Sequence, residues 1–177
     1  KGHNGDDVRA MANHLQERDV SLLSITDPAK TLSNLATALE PRPALVVDGL
    51  FGIGLNRVLD TDWMQIISQL NANRMRVLSV DVPSGVDAAT GEIQGAAIRA
   101  EETLTLGAPK TGLLHSAVAD YVGRLTVASE IGLVPRTATS ELQLGQADDF
   151  FGFPPPRPAG GHKGTFGHVG IMAGSLG

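Results

Sequence analysis

The sequence predicts an α/β domain in which a mostly parallel sheet carries helices on both sides. Three observations predict it. Apolar periodicity switches between helical and strand spacing along residues 7–128. Strand and helix alternate at a pitch that requires crossover connections, which are right-handed and lay helices on the faces of the sheet. Two of the strands also run straight into an aspartate and a glycine-bearing loop, first at Val46-Val47-Asp48-Gly49 and again at Val80-Asp81-Val82-Pro83-Ser84-Gly85. In an open parallel sheet the carboxyl ends of the strands line one crevice, so both aspartates are expected to face one ligand.

The elements follow in order. The loop Lys1-Gly2-His3-Asn4-Gly5 has no strand feeding it, so a strand before residue 1 is expected. Residues 7–16 predict a helix, with Val8, Met11, Ala12 and Leu15 at helical spacing and acidic residues in the first turn, at the positive end of the helix dipole. Residues 20–25 are a short β-branched, strand-like run. Asp27-Pro28 then opens a second helix through about residue 39, with proline near its first position. Residues 44–47 read as a buried strand. A helix starts at Asp60 or Thr61 and carries Trp63, Ile66, Ile67 and Leu70 on one face. Residues 76–80, 103–106 and 124–128 read as three further strands.

From about Pro135 the composition changes. Residues 136–161 hold Pro154-Pro155-Pro156, Pro158 and Gly160-Gly161, which is linker chemistry with little capacity to form a core. Residues 162–177 then read as a loop, a strand over 168–172 and a second glycine loop, the way a nucleotide-type domain begins.

Composition narrows the function. A chain of 177 residues suffices for one well-cored domain with a little left over. Its 14 Lys plus Arg stand against 19 Asp plus Glu without a basic run, which argues against wholesale nucleic-acid binding. The absence of cysteine excludes disulfides and cysteine-based zinc sites and fits a cytoplasmic setting. No stretch is long and apolar enough to span a bilayer, and no signal peptide opens the chain. It starts at Lys1 and stops at Gly177 within a glycine-rich run, so both ends read as cut.

Three generic motifs fail. Gly52-Ile53-Gly54 begins like a dinucleotide fingerprint, but Arg57 occupies the third glycine position. Lys163-Gly164-Thr165 has the wrong order for a P-loop. Val82 stands two residues before Ser84, where a nucleophile elbow needs glycine. Surface roles are the expectation for His14, His115, His162 and His168, since the last two are too far apart for a helical metal pair.

The ordered set of motifs is more specific. Gly2-His3-Asn4-Gly5-Asp6-Asp7, then residues 47–57, then Val80-Asp81-Val82-Pro83-Ser84-Gly85-Val86, Thr90-Gly91 and Pro109-Lys110-Thr111-Gly112-Leu113 together resemble the NAD(P)H-hydrate epimerase family, the YjeF N-terminal domain. The resemblance covers roughly residues 1–133 and implies a Rossmann-like three-layer α/β/α sandwich, here N-terminally truncated. Residues 134–161 would be a linker. Residues 162–177 resemble the opening of the ribokinase-like, ADP-dependent NAD(P)H-hydrate dehydratase domain, whose ADP or ATP site lies almost wholly beyond them.

That resemblance implies an isomerase that interconverts the R and S epimers at C6 of hydrated NADH or NADPH, within a repair enzyme that also dehydrates the S form. Epimerising a carbon that bears a hydroxyl and a ring nitrogen moves protons, and a carboxylate and an amine can serve as general base and acid. Asp81 and Lys110 are the candidates. From spacing alone Asp81 could equally cap the Pro83 turn and Lys110 be a solvated surface charge.

Asn4, Asp48 and Ser84 match the family's potassium ligands, and oxygen donors from three loops suit a hard cation. Turn capping is the alternative for Asn4 and Ser84 taken singly. Substrate phosphates are assigned by the resemblance to His3, Asn4, Gly5, Asp6 and Asp7 at a helix start, and to Gly52, Ile53, Gly54, Leu55, Asn56, Arg57 and Val58. Asp81 contacts the nicotinamide end. The family usually has glycine at the position of Asp6 and a small residue at that of Val8, and a carboxylate facing phosphate repels it. Homo-oligomerisation is expected of the full-length protein. The other expectation is a catalytically inactive nucleotide-binding or scaffold domain, as in mRNA-decapping assemblies.

Overall fold

A computed structural model describes residues 3–15, 17–40, 42–132, 144–145, 147–154, 156, 158–166 and 170. The chain divides into two compact units, Lys1–Arg136 and Thr137–Gly177. The first contains four strands, β1 (Val46–Asp48), β2 (Val77–Val80), β3 (Glu102–Leu106) and β4 (Arg124–Ala128). They form one four-stranded sheet in the order β1-β2-β3-β4, every pairing parallel. The helices are α1 (His3–His14), α2 (Pro28–Leu39), α3 (Thr61–Ala72) and the short α4 (Ala119–Val122), so the mixed α/β class expected from the sequence is the one observed.

Local chemistry starts α2 and α3 where the sequence places them. The Asp27 side chain accepts from Lys30 N at 3.2 Å with Pro28 at the first position of α2, and Asp60 accepts from Trp63 N at 3.1 Å to open α3. The expected face of α3 is the buried one, with Ile66, Ile67 and Leu70 gathered against Leu35 of α2, Val77 of β2 and Ile98. Each such side chain contributes about 1.5–3 kcal/mol on burial. A second cluster of Val82, Val86, Leu113, Val118 and Val122 lies under the loops that follow β2 and β3. Those loops are the ones that carry the site.

Two expectations are corrected. Residues 20–25 form no strand, and Val20, Leu22 and Leu23 are exposed, with Ile25 alone packed against the first cluster. A strand exists through its pairing, and β1 pairs only with β2 among the described residues, so the run has β-branched character but no ladder to join. Helix α1 also begins at His3 rather than at residue 7, so the motif expected to be a loop supplies the helix's first turns. Asn4 anchors that start through Nδ2, which donates to Phe51 O at 2.8 Å.

Among the described residues the second unit contains two short 3-10 helices, Ala147–Phe150 and Lys163–Phe166. The strand expected over residues 168–172 lies, apart from Gly170, outside the described residues.

Candidate functional site

The site is built at the carboxyl ends of β1, β2 and β3. Asp81 follows β2 directly and has φ +68°, a left-handed conformation that costs a non-glycine residue about 1–3 kcal/mol. Its N–H donates to Leu104 O at 2.8 Å, which ties the bend to β3. That bend turns the carboxylate toward the end of the same strand, where Oδ1 accepts from Leu106 N at 3.1 Å and from the Lys110 ammonium. Lys110 Nζ also donates to Thr105 Oγ1 at 3.0 Å and to Leu106 O at 2.8 Å. An ammonium has three N–H bonds, and all three find acceptors here.

The Lys110 and Asp81 side chains are 19% and 13% exposed, so the pair sits at the border of solvent. Asp81 Oδ2 accepts no hydrogen bond among the described residues and is not a fully enclosed atom. Neither alternative open in the sequence describes this arrangement: Asp81 does not cap the Pro83 turn through its side chain, and Lys110 is no solvated surface charge. The residue after Lys110 opens a 3-10 helix, Thr111–Leu114, held by Gly112 N donating to Ala88 O at 2.9 Å. A Cβ on Gly112 would lie 2.5 Å from Asp87 O and 2.6 Å from Gly91 N. The Thr90-Gly91 and Gly112 motifs therefore touch, and their contact sets where Lys110 stands.

Asp48 is organised differently. It ends β1, is buried, and its two oxygens take four hydrogen bonds. Oδ1 accepts from Leu50 N at 3.2 Å and Ser84 Oγ at 2.6 Å, and Oδ2 accepts from Ser79 Oγ and Ser84 N, both at 2.9 Å. Burial pushes its carboxyl above the usual aspartate value, while the bonds from Ser84, Leu50 and Ser79 oppose that shift.

Ser84 Oγ also accepts from Phe51 N at 2.9 Å. The Phe51 backbone thus bonds Asn4 through its carbonyl and Ser84 through its N–H, which joins Asn4, Ser84 and Asp48 in one chain of hydrogen bonds. Within that chain Asn4 Oδ1 is buried and has no hydrogen-bond partner among the described residues. An orphaned buried acceptor linked through the Phe51 backbone to a hydroxyl and a carboxylate offers oxygen donors of the kind that suit a weakly charged hard cation.

The expected phosphate segments are placed as follows. His3, Asn4, Gly5 and Asp6 open α1, where the first four N–H groups of a helix lack intrahelical acceptors. Asp6 forms an exposed ion pair with Arg9 at 2.8 Å, which offsets part of its charge, and Asp7 is exposed. Gly52 and Gly54 differ in use. A Cβ on Gly52 would come within 3.0 Å of Asn4 Cβ, whereas one on Gly54 would meet nothing within 4 Å. Gly52 is thus needed for packing, and Gly54 borders open space. Ile53, Asn56, Arg57 and Val58 are exposed, while the Leu55 side chain belongs to the core and can offer a ligand only its backbone. Val8, unusual for the family, fills the space that glycine leaves at position 49, where a Cβ would lie 2.2 Å from Val8 Cγ2.

Sequence reasoning missed Thr105, Ser79 and the Phe51 backbone. Thr105 and Ser79 are polar residues in short buried strands, which is the signal that marks them.

A parallel α/β sheet whose strand ends present a closed carboxylate cluster beside a half-open carboxylate–lysine pair defines an open-sheet ligand-binding domain. The chain belongs to the family described as YjeF-related protein N-terminus, whose model matches residues 5–112. It is 34% identical to an NAD(P)H-hydrate epimerase of Limosilactobacillus fermentum, over 75% of this chain and 72% of that protein. It is 38% identical to a bifunctional NAD(P)H-hydrate repair enzyme Nnr of Dictyoglomus turgidum, over 75% of this chain and 26% of the relative. A protein of the same name from Gloeobacter violaceus aligns with 98% of this chain at 34% identity, over 39% of its own length. The chain therefore spans well under half of these bifunctional relatives.

Proposed function

We propose that this domain is an NAD(P)H-hydrate epimerase, an isomerase that interconverts the R and S forms of hydrated NADH or NADPH at C6. The observation that carries the reading is the Asp81–Lys110 pair, in a family whose relatives are named for that reaction. Asp81 is anchored through Oδ1 and has Oδ2 available, so it suits removal of the proton from the C6 hydroxyl. Lys110 lies against the same carboxylate and suits delivery of a proton to the ring nitrogen as the C6–N bond opens. Rotation about the freed carbon and reversal of both transfers closes the ring with the hydroxyl on the other face, and no net proton is gained or lost. General acid–base assistance of this kind is worth about 10²–10⁴-fold.

The N-terminal turns of α1 and the open side of Gly54, with Arg57 beside it, suit the phosphates. Asn4, Asp48 and Ser84 would hold a potassium ion once the Ser84 hydroxyl turned its proton from Asp48 Oδ1 to Phe51 O, 3.4 Å away, and the bound ion would supply positive charge to the anionic ligand's site. Pairing of Asp6 with Arg9 offsets part of the charge that favoured an inactive scaffold. A longer protein containing this domain would also carry an ADP-dependent dehydratase, supported by the alignment of one bifunctional relative with 98% of this chain. The cysteine-free composition supports a cytoplasmic setting.

The test supplies the intact protein with a single NADHX epimer and follows appearance of the other. Asp81→Asn and Lys110→Ala should each slow exchange by about 10²-fold or more while the melting temperature stays near that of the parent. Unchanged exchange in either variant would remove that residue from the chemistry.

A further inference from the structure

Lys110 stands on a loop, and its side chain is a flexible four-carbon stem carrying a point charge. Something must decide where the ammonium sits relative to Asp81. Of its three acceptors, Asp81 is itself a reacting group and Leu106 O belongs to the backbone. The third is a side chain that nothing else in the domain requires to be polar. Thr105 is fully buried in β3, a position in a parallel strand where valine would have the same shape and burying a hydroxyl carries a cost unless the group is bonded. Two residues earlier Thr103 meets that cost structurally, its hydroxyl donating to Val122 O at 2.7 Å. The Thr105 hydroxyl has only a long 3.5 Å contact with Ala108 O to donate into, and its Oγ1 accepts from Lys110 Nζ at 3.0 Å. The two threonines share a strand and differ in purpose.

We propose that Thr105 is a positioning residue for epimerisation. Its hydroxyl is oriented toward the Ala108 carbonyl and presents a lone pair that fixes Lys110 Nζ against Asp81. The proposal rests on the assignment of Asp81 and Lys110 as the reacting pair. Thr105 touches no substrate and acts only through Lys110. With valine at this position the ammonium keeps two acceptors and gains freedom to swing, which degrades alignment in the transition state without changing the surface that binds the nucleotide.

The experiment measures steady-state epimer exchange and melting temperature for the intact protein and for Thr105→Val, Thr105→Ser and Lys110→Ala. Thr105→Val should lower kcat by about 10- to 100-fold, the size of effect expected from misplacing a catalytic group by about 1 Å. Its KM should stay within about twofold of the parent, since uniform binding is untouched. Thr105→Ser keeps the oxygen and should restore kcat to within about threefold of the parent. A parental kcat in Thr105→Val with Lys110→Ala inactive overturns the role of Thr105 alone. A Thr105→Ser variant as impaired as Thr105→Val, or a Thr105→Val defect carried by KM or by a lowered melting temperature, overturns it as well. Full exchange in Lys110→Ala overturns both the reacting pair and the proposal built on it.

Discussion

Two aspartates at the ends of adjacent strands, Asp48 and Asp81, look alike in the sequence and are used in opposite ways. Asp48 is sealed in, and four donors occupy its oxygens. Asp81 is held at one oxygen on a strained backbone at the edge of solvent, with the other oxygen available. A buried carboxylate whose every lone pair is engaged organises its surroundings. One left partly unengaged beside a lysine retains the capacity to exchange a proton. Completeness of hydrogen bonding separates the two roles more cleanly than burial does.

That contrast can be broken experimentally, and the largest effect on the fold should come from Asp48→Asn. Each Asp48 oxygen accepts one backbone N–H, from Leu50 or from Ser84, so the amide NH₂ of asparagine confronts a backbone donor whichever way it flips. Denaturant unfolding should show a loss of about 1–3 kcal/mol, the cost of an unsatisfied buried donor. A variant of parental stability would mean that the Asp48 cluster is not architectural.

Potassium probes the same region from the ligand side. Raising K⁺ to tenfold over its dissociation constant should stabilise the protein by about 1.4 kcal/mol relative to choline, and Asn4→Ala should abolish that difference. An equal response in the variant would place the ion elsewhere.

Asp81 should behave in the reverse manner. Asp81→Gly and Asp81→Ala both lose the ion pair with Lys110 and differ chiefly in the backbone at φ +68°. The glycine variant should therefore be more stable than the alanine variant by about 1 kcal/mol, the cost of the left-handed conformation. Equal stabilities would show that the bend relaxes once the carboxylate is gone.

The smallest expected effect lies in the loop that braces Lys110. Backbone N–H groups of Thr90 and Ala89, each bonded at 2.9 Å, hold the Asp87 carboxyl below its ordinary value. A depressed folded-state pKa means that this contribution is complete above the unfolded value and is lost as pH falls through the folded one. Parent and Asp87→Asn should therefore differ in melting temperature at neutral pH and converge from about pH 4 downward. A gap that persists into acid would assign the difference to something other than charge.

Legibility in the sequence followed locality. Helix α2 is announced by Asp27-Pro28 and α3 by Asp60 with its apolar face, because capping and periodicity act within a few residues. Strands β2, β3 and β4 were legible to within a residue as apolar or β-branched runs. Residues 20–25 carried the same signal without becoming a strand, since pairing depends on a neighbour that composition does not reveal. Asp48 and Asp81 were legible from their places at strand ends, whereas Lys110, Asn4 and Ser84 were legible only through the order and spacing of motifs. Beside Asp6 stands Arg9, three residues on, a helical neighbour that offsets part of the charge behind the repulsion expected there.

By itself the sequence determined the class of fold, the starts of α2 and α3 and the identity of the chemically capable side chains. Each depends on short-range sterics, capping and apolar spacing. Only the tertiary structure decided that Asp48 is closed and Asp81 open, that Lys110 is held by Thr105 and the end of β3, and that Asn4 keeps an unmatched oxygen. Those outcomes depend on which donors and acceptors, separated by up to 47 residues in the chain, arrive within about 3 Å of one another.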